Sequence, residues 1–166
     1  MEKLYKSTRG HQQPLDFYTS ILQGIANDGG LLVPAFPFEK KDLNALLDLN
    51  YVDLATEVIG SFVPEDAKED IRRCAQGAYD SGLFKEGVVP VVKAGNEYVM
   101  ELFQGPTAAF KDLALSILPR FMTLSLKKKG ENREVMILAA TSGDTGKAAL
   151  EGFKDVEGTC IKVFYP

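Results

Sequence analysis

Apolar residues recur at helical spacing through the first half of the chain, and the pattern shifts to β-like runs after Gly87. Phe17, Ile21, Leu22 and Ile25 fall on one face of a short helix that Asp16 can cap and Asn27-Asp28-Gly29-Gly30 can stop. The next stretch, LLVPAFPFE, carries prolines at 34 and 37 and reads as an extended connector. From Lys40 to Leu83 the pattern is helical in three pieces: DLNALLDL, YVDLATEVIGSF and, opened by Pro64, EDAKEDIRRCAQGAYDSGLF. Acidic residues crowd the first turn of the third piece, which suits the helix dipole, and Ala67, Ile71, Cys74, Ala75, Ala78 and Tyr79 form its apolar stripe.

After Gly87, GVVPVVKAGNEYVMELF gives two β-rich runs broken at Lys93-Ala94-Gly95-Asn96, a hairpin signature. The turn Gly105-Pro106-Thr107 leads into FKDLALSILPRFMTLSL, a largely buried helix with an apolar stripe of Phe110, Leu113, Ala114, Ile117, Leu118, Phe121 and Leu124. Pro119 inside it cannot donate to the Leu115 carbonyl and should kink the axis. EVMILAA then reads as a strand buried on both faces, TSGDTG opens a helix (KAALEGFKD), and TCIKVFYP supplies a second strand. Strand, helix and strand in about thirty residues make a parallel, right-handed βαβ unit. The fold class is α/β: an N-terminal helical layer with a small β-hairpin, followed by an open parallel βαβ sheet. Nothing follows the last strand to cover that sheet, so the chain looks like the front of a longer α/β protein.

Composition narrows the function more than the fold. The chain has 166 residues, 45% of them hydrophobic and 25% charged, which is ordinary globular composition with room for one or two small domains. Nineteen Lys and Arg against 23 Asp and Glu give a formal charge of −4, with the cations scattered apart from Lys127 to Lys129, so nucleic-acid binding is not expected. One histidine, His11, argues against a multi-histidine metal site, and no metal is expected. Two cysteines, Cys74 and Cys160, allow a disulfide arithmetically without resembling a cystine framework. Neither a signal peptide nor a membrane span is visible, and a cytoplasmic protein without membrane partners is the default expectation.

Three places could carry chemistry. Thr141-Ser142-Gly143-Asp144-Thr145-Gly146 sits where a parallel strand meets a helix start, the end of an open α/β sheet where ligands bind. Free backbone N–H groups and the positive helix end favour a carboxylate or phosphate there, and the glycines admit it close to the backbone. The plainer alternative is a tight turn with Asp144 or Thr145 as N-cap. The spacing is not that of a P-loop, because Gly146-Lys147-Ala148 follows Gly143 too soon. Lys111 lies at the head of the buried helix, where the dipole disfavours an ammonium and desolvation by Phe110 and Leu113 acts in the same sense; it is either a nucleophilic amine or a lysine that reaches water or Asp112. Ser7-Thr8-Arg9-Gly10 could bind a phosphate or carboxylate or be a polar strand end. His11 reads as a surface residue and Cys74 as a packed, inert one.

YKSTRG (5–10), DGGLLVP (28–34), ELFQGPTAAFKDLAL (101–115) and AATSGDTGKAAL (139–150) together resemble the N-terminal part of the threonine synthase family, pyridoxal-phosphate enzymes of the tryptophan-synthase-β-like fold type, in the branch with a long N-terminal domain. The third stretch is close to diagnostic. The resemblance implies that residues 1–86 form the N-terminal helical domain and 87–166 the start of a truncated cofactor-binding domain. It further implies that Lys111 holds pyridoxal 5'-phosphate as an internal aldimine. Thr141, Ser142, Gly143, Asp144 and Thr145 would contact the substrate α-carboxylate, with Asp144 and Thr145 also approaching the cofactor. The implied reaction is that of a lyase converting O-phospho-L-homoserine and water to L-threonine and phosphate, with Lys111 moving protons and Arg9 or Lys147 available to the substrate phosphate.

Two positions depart from the family pattern. Gln104 stands where the family usually has histidine and cannot relay a proton near neutral pH, and Lys147 replaces a usually small residue beside the anion loop. The family's enzymes are also more than twice as long, their remaining part carrying the glycine-rich loop for the cofactor phosphate. The expectation is therefore a fragment that folds at least in part and does not by itself form threonine. The alternatives are another pyridoxal-phosphate lyase of the same fold type, against which SGDTG and the long helical layer argue, and a non-catalytic binding or dimerisation module.

Overall fold

The computed structural model describes residues 2–165. The chain divides into two compact units. One comprises the residues up to Ala75 together with Leu124–Asn132, the other Gln76–Thr123 with the residues from Arg133 onward.

The first unit opens with β1 (Leu4–Ser7), β2 (Leu15–Asp16) and α1 (Phe17–Gln23), followed by β3 (Leu32–Pro34). The three strands form an antiparallel sheet in the order β2-β1-β3, with Tyr5 opposite both Leu15 and Pro34. The expected connector at 31–39 thus contains an edge strand, a position that tolerates Pro34 because its outer side needs no donor. Asp16 caps α1 as the sequence suggests, accepting from the Thr19 amide at 3.1 Å. The helix ends earlier than expected, at Gly24 (φ 73°), whose amide donates to the Ser20 carbonyl, and Ile25 is exposed. Glycine has no Cβ to penalise that left-handed φ.

Three helices follow: α2 (Leu43–Leu46), α3 (Tyr51–Gly60) and α4 (Lys68–Tyr79), the last entered through a 3-10 turn at Glu65–Ala67 and belonging to the second unit from Gln76 onward. Asn50 caps α3 through the Asp53 amide. Ala67, Ile71, Cys74, Ala75 and Ala78 are buried, as the apolar stripe predicts, Tyr79 is half-buried, and Val63 ahead of the helix is buried as well. Tyr5 is buried too; its ring packs against Phe17 and Phe36 at 6.3 and 5.9 Å, and its hydroxyl donates to the Phe62 carbonyl at 2.6 Å. Burial pushes the Tyr5 phenol up to about 12. Two lysines in this unit, Lys128 and Lys129, pair with Asp70 and Asp16, each at 2.7 Å. Burial raises the Asp16 carboxyl, but the Lys129 bond and the Thr19 hydroxyl and amide outweigh it and bring it down to about 2.

The second unit contains the hairpin of β4 (Val91–Ala94) and β5 (Glu97–Met100), turned at Gly95 with φ 64°. Then come α5 (Asp112–Lys129), whose last turn belongs to the first unit, and the expected βαβ unit of β6 (Val135–Ala140), α6 (Asp144–Phe153) and β7 (Thr159–Phe164). Strands β6 and β7 run parallel, with Ile137 opposite Ile161 and Ala140 opposite Phe164.

Burial of β6 differs from the expectation. Its residues alternate: Met136 and Leu138 are exposed, as is Phe164 on β7, while Val135, Ile137 and Ala139 are partly covered. Only one face is covered, so an unbroken apolar run alternates like a half-buried strand. The buried face of α5 is also displaced from the predicted stripe. Asp112, Ser116, Ile117, Pro119, Met122, Ser125 and Leu126 are buried, whereas Phe110 and Ala114 are exposed. Small polar residues let a neighbour approach, which counting apolar positions overlooks.

Helix α5 runs unbroken through Pro119. The ring has no N–H to offer the Leu115 carbonyl, and α6 comes close to this carbonyl at Gly152, where a Cβ would collide with it.

Candidate functional site

Three segments carry the candidate residues, one in the first unit and two in the second. In the first unit the STRG segment follows β1 and is fastened to the turn before β3. Asp28 accepts from the Ser7 hydroxyl at 2.6 Å, the Gly30 amide at 2.9 Å and the His11 amide at 3.0 Å, and these bonds, those from Ser7 and Gly30 foremost, hold its carboxyl below the ordinary carboxylate pKa. Arg9 is exposed, and its guanidinium donates to the Asp28 carbonyl at 2.9 Å. Gly30 is fixed by sterics, since a Cβ there would run into the Ser7 hydroxyl. His11 is exposed and Cys74 buried, as the sequence suggests. Both cysteines are free thiols.

In the second unit Lys111 occupies the last position of the turn before α5, half-buried, with its Nζ 4.4 Å from the centre of the Phe110 ring. The expected dry wall is therefore not built by Phe110, which is 59% exposed; the ring face instead seats the amine. Asp112 turns back from Lys111 rather than pairing with it. Its oxygens accept from the Thr107 amide at 2.8 Å and the Thr107 hydroxyl at 2.6 Å. Gln104 is buried, its side-chain amide donating to Glu101 at 2.6 Å, which makes it a bracing residue of the same turn.

The TSGDTG segment links β6 to α6. Gly143, at the N-cap position, gives no side-chain cap, so the alternative of Asp144 or Thr145 as cap is excluded: both lie inside the helix. The Gly146 and Lys147 amides already turn inward to the Gly143 carbonyl, at 3.1 and 3.4 Å. The first amides of the helix, those of Asp144 and Thr145, have no acceptor in the turn that precedes them. Thr141 accepts a long 3.4 Å bond from the Gly143 amide, and Ser142, Asp144, Thr145 and Lys147 are exposed. A Cβ on Gly143 would meet nothing within 4 Å, whereas one on Gly146 would strike Thr141 and come within 3.0 Å of Val163. One glycine keeps an approach to the backbone open, and the other seats α6 on the sheet.

The second unit thus carries donors and space for an anion at the head of α6, and an amine at the head of α5. Among the described residues no group of three potential ligands could hold a metal ion, and no helix is long and apolar enough to cross a membrane. Sequence reasoning missed Asp112, Thr107 and Asp28. The usable signals were the five-residue spacing from Thr107 to Asp112 and the acid placed directly before Gly29-Gly30.

Known proteins resemble the chain over nearly its whole length. Residues 4–79 match the family model described as the threonine synthase N terminus. The chain is 41% identical to threonine synthase of Pseudomonas aeruginosa over 98% of its own length and 35% of that protein, and 38% identical to threonine synthase of Corynebacterium glutamicum over 96% and 34%. Among solved structures, pyridoxal-phosphate-bound threonine synthase from Brucella melitensis superposes with a TM-score of 0.89 at 38% identity, covering 99% of this chain and 36% of that one. The yeast threonine synthase gives 0.86 at 29% identity, over 98% and 35%. The chain thus spans about a third of the length of the relatives it matches.

Proposed function

We propose that this chain, similar in sequence and fold to the N-terminal region of threonine synthases, supplies the amine and the carboxylate-binding loop of a pyridoxal-phosphate lyase acting on O-phospho-L-homoserine. The residues present fit that group. Lys111 offers a primary amine on a fixed turn, and the uncapped start of α6 offers unshared donors beside the open face of Gly143. When bound, pyridoxal phosphate supplies the electron sink that makes carbanions along the substrate chain accessible.

The chain's own residues do the rest. Lys111 would hold the cofactor through its amine and, when that amine is free, would carry protons among the α, β and γ carbons of the substrate. The Asp144 and Thr145 amides, aided by the helix dipole, take the substrate α-carboxylate, with the Thr141 and Ser142 hydroxyls as further donors. Gly143 admits the carboxylate to the backbone. Gln104, neutral and committed to Glu101, braces the turn instead of relaying protons.

The uncapped head of α6 is the observation that carries this reading. Incubation with pyridoxal phosphate, borohydride reduction and peptide mapping tests it. The label is expected on Lys111 in preference to the other lysines and absent there in Lys111→Ala; a label spread evenly over surface lysines refutes it.

A further inference from the structure

The turn that delivers Lys111 is closed by a residue outside the roles given above. Asp112 is only 2% exposed, yet neither of its oxygens serves the helix it begins. Both reach back five residues to Thr107, taking its amide at 2.8 Å and its hydroxyl at 2.6 Å. An acidic residue at a helix start ordinarily accepts from amides further along the helix; here it fastens the preceding loop to the helix instead.

Two other features of the same seven residues depend on this clasp. Gly105 faces the carboxylate so closely that a Cβ would lie 2.5 Å from Oδ2 and 2.7 Å from the Asp112 Cβ. Ala108, whose amide donates to the Gly105 carbonyl at 3.1 Å, has φ 58°, a left-handed conformation that disfavours any residue with a side chain. A strained residue persists where its surroundings overdetermine it, and the buried Thr107–Asp112 pair supplies that constraint. Lys111 lies inside the loop that the clasp closes, one residue before α5, its carbonyl accepting from the Leu115 amide at 2.9 Å.

We propose that Asp112 is a positioning residue for Lys111. By gripping Thr107 it holds the Gly105–Lys111 turn shut and fixes the backbone from which the amine projects over Phe110. The inference rests on the reading of Lys111 as the cofactor's lysine for its purpose, but not for its geometry, so the two can fail separately.

The test compares wild type, Thr107→Val, which keeps the shape and removes the hydroxyl, and Thr107→Ser, which restores it. A brief pulse of acetic anhydride followed by peptide mapping reads the exposure and order of Lys111 without cofactor. Acetylation of Lys111 should rise roughly tenfold in Thr107→Val, the shift expected for losing one hydrogen bond to a carboxylate, while Lys147 is unchanged and Thr107→Ser behaves as wild type. With pyridoxal phosphate and borohydride, the share of label on Lys111 should fall in Thr107→Val and recover in Thr107→Ser. Circular dichroism melting of each variant confirms that it folds; should Thr107→Val not fold, Asp112→Asn, which keeps an acceptor for the Thr107 amide, takes its place. Equal Lys111 acetylation across the folded variants overturns the clasp. An intact acetylation response with no preference of the cofactor for Lys111 in the wild type overturns the functional reading and leaves the clasp standing.

Discussion

Replacing Gly152 by alanine should destabilise the chain even though the substitution improves helix propensity. Gly152 lies in the last turn of α6, and a Cβ there would collide with the carbonyl of Leu115 in the first turn of α5, with 3.5 Å to the Leu115 Cβ as the loosest of its three contacts. Both obstacles nearest to it belong to backbone, so no side chain can swing aside. Overpacking of this kind costs about 1–3 kcal/mol, and a backbone obstacle puts it at the upper end. Alanine returns about 1 kcal/mol of helix propensity. The net loss is about 2 kcal/mol, which for a chain of this length lowers the melting temperature by roughly 4–8 °C. Gly60→Ala is the matched control: it also lies in a helix, and its Cβ would meet only Lys68 Cγ, at 3.9 Å. That variant should melt at or slightly above wild type in a calorimetric scan. If Gly152→Ala and Gly60→Ala melt together, α6 does not approach α5 through the Leu115 carbonyl.

Gly143→Ala should leave the melting temperature where it is, because the added methyl meets nothing within 4 Å, while cutting borohydride-fixed cofactor on Lys111 several-fold. The folded Asp16 carboxyl, at about 2, lies below its ordinary 3.8, so its contribution to stability is present above pH 4 and is lost as pH falls toward 2; Lys129→Ala should raise the Asp16 midpoint in a carboxyl NMR titration, and no change there would remove the ion pair from the account. Tyr5, held at about 12 against an ordinary 10, stabilises fully below pH 10 and progressively less up to pH 12. Tyr5→Phe should therefore cost about 1 kcal/mol at neutral pH, the value of one hydrogen bond, and flatten the alkaline limb of a urea-denaturation series.

What could be read from the sequence follows from how far each signal reaches. The stripe from Ala67 to Ala78 and the strand-helix-strand pattern around TSGDTG persist over many residues, and both stand in the structure. Strands β1 to β3 have four residues or fewer, too short for alternation to register, and their pairing is decided by long-range partners such as Tyr5 opposite Pro34. Met136 and Leu138 show the limit of composition: an apolar run records what a strand can bury, not what is present to bury it. At the site, the positions of Lys111 and Gly143 could be placed from chain order. The partners of Asp112 and Asp28 could not, because a carboxylate's choice between the helix after it and the loop before it depends on backbone directions that the spacing alone does not encode.

The exposed ring beneath Lys111 also has an optical use. The sequence contains no tryptophan, so Phe110→Trp would install a single fluorophore whose ring can occupy the same seat, 4.4 Å from the amine in the present side chain. Its emission would report quenching by any chromophore that settles on that nitrogen, in real time and without a chemical trap.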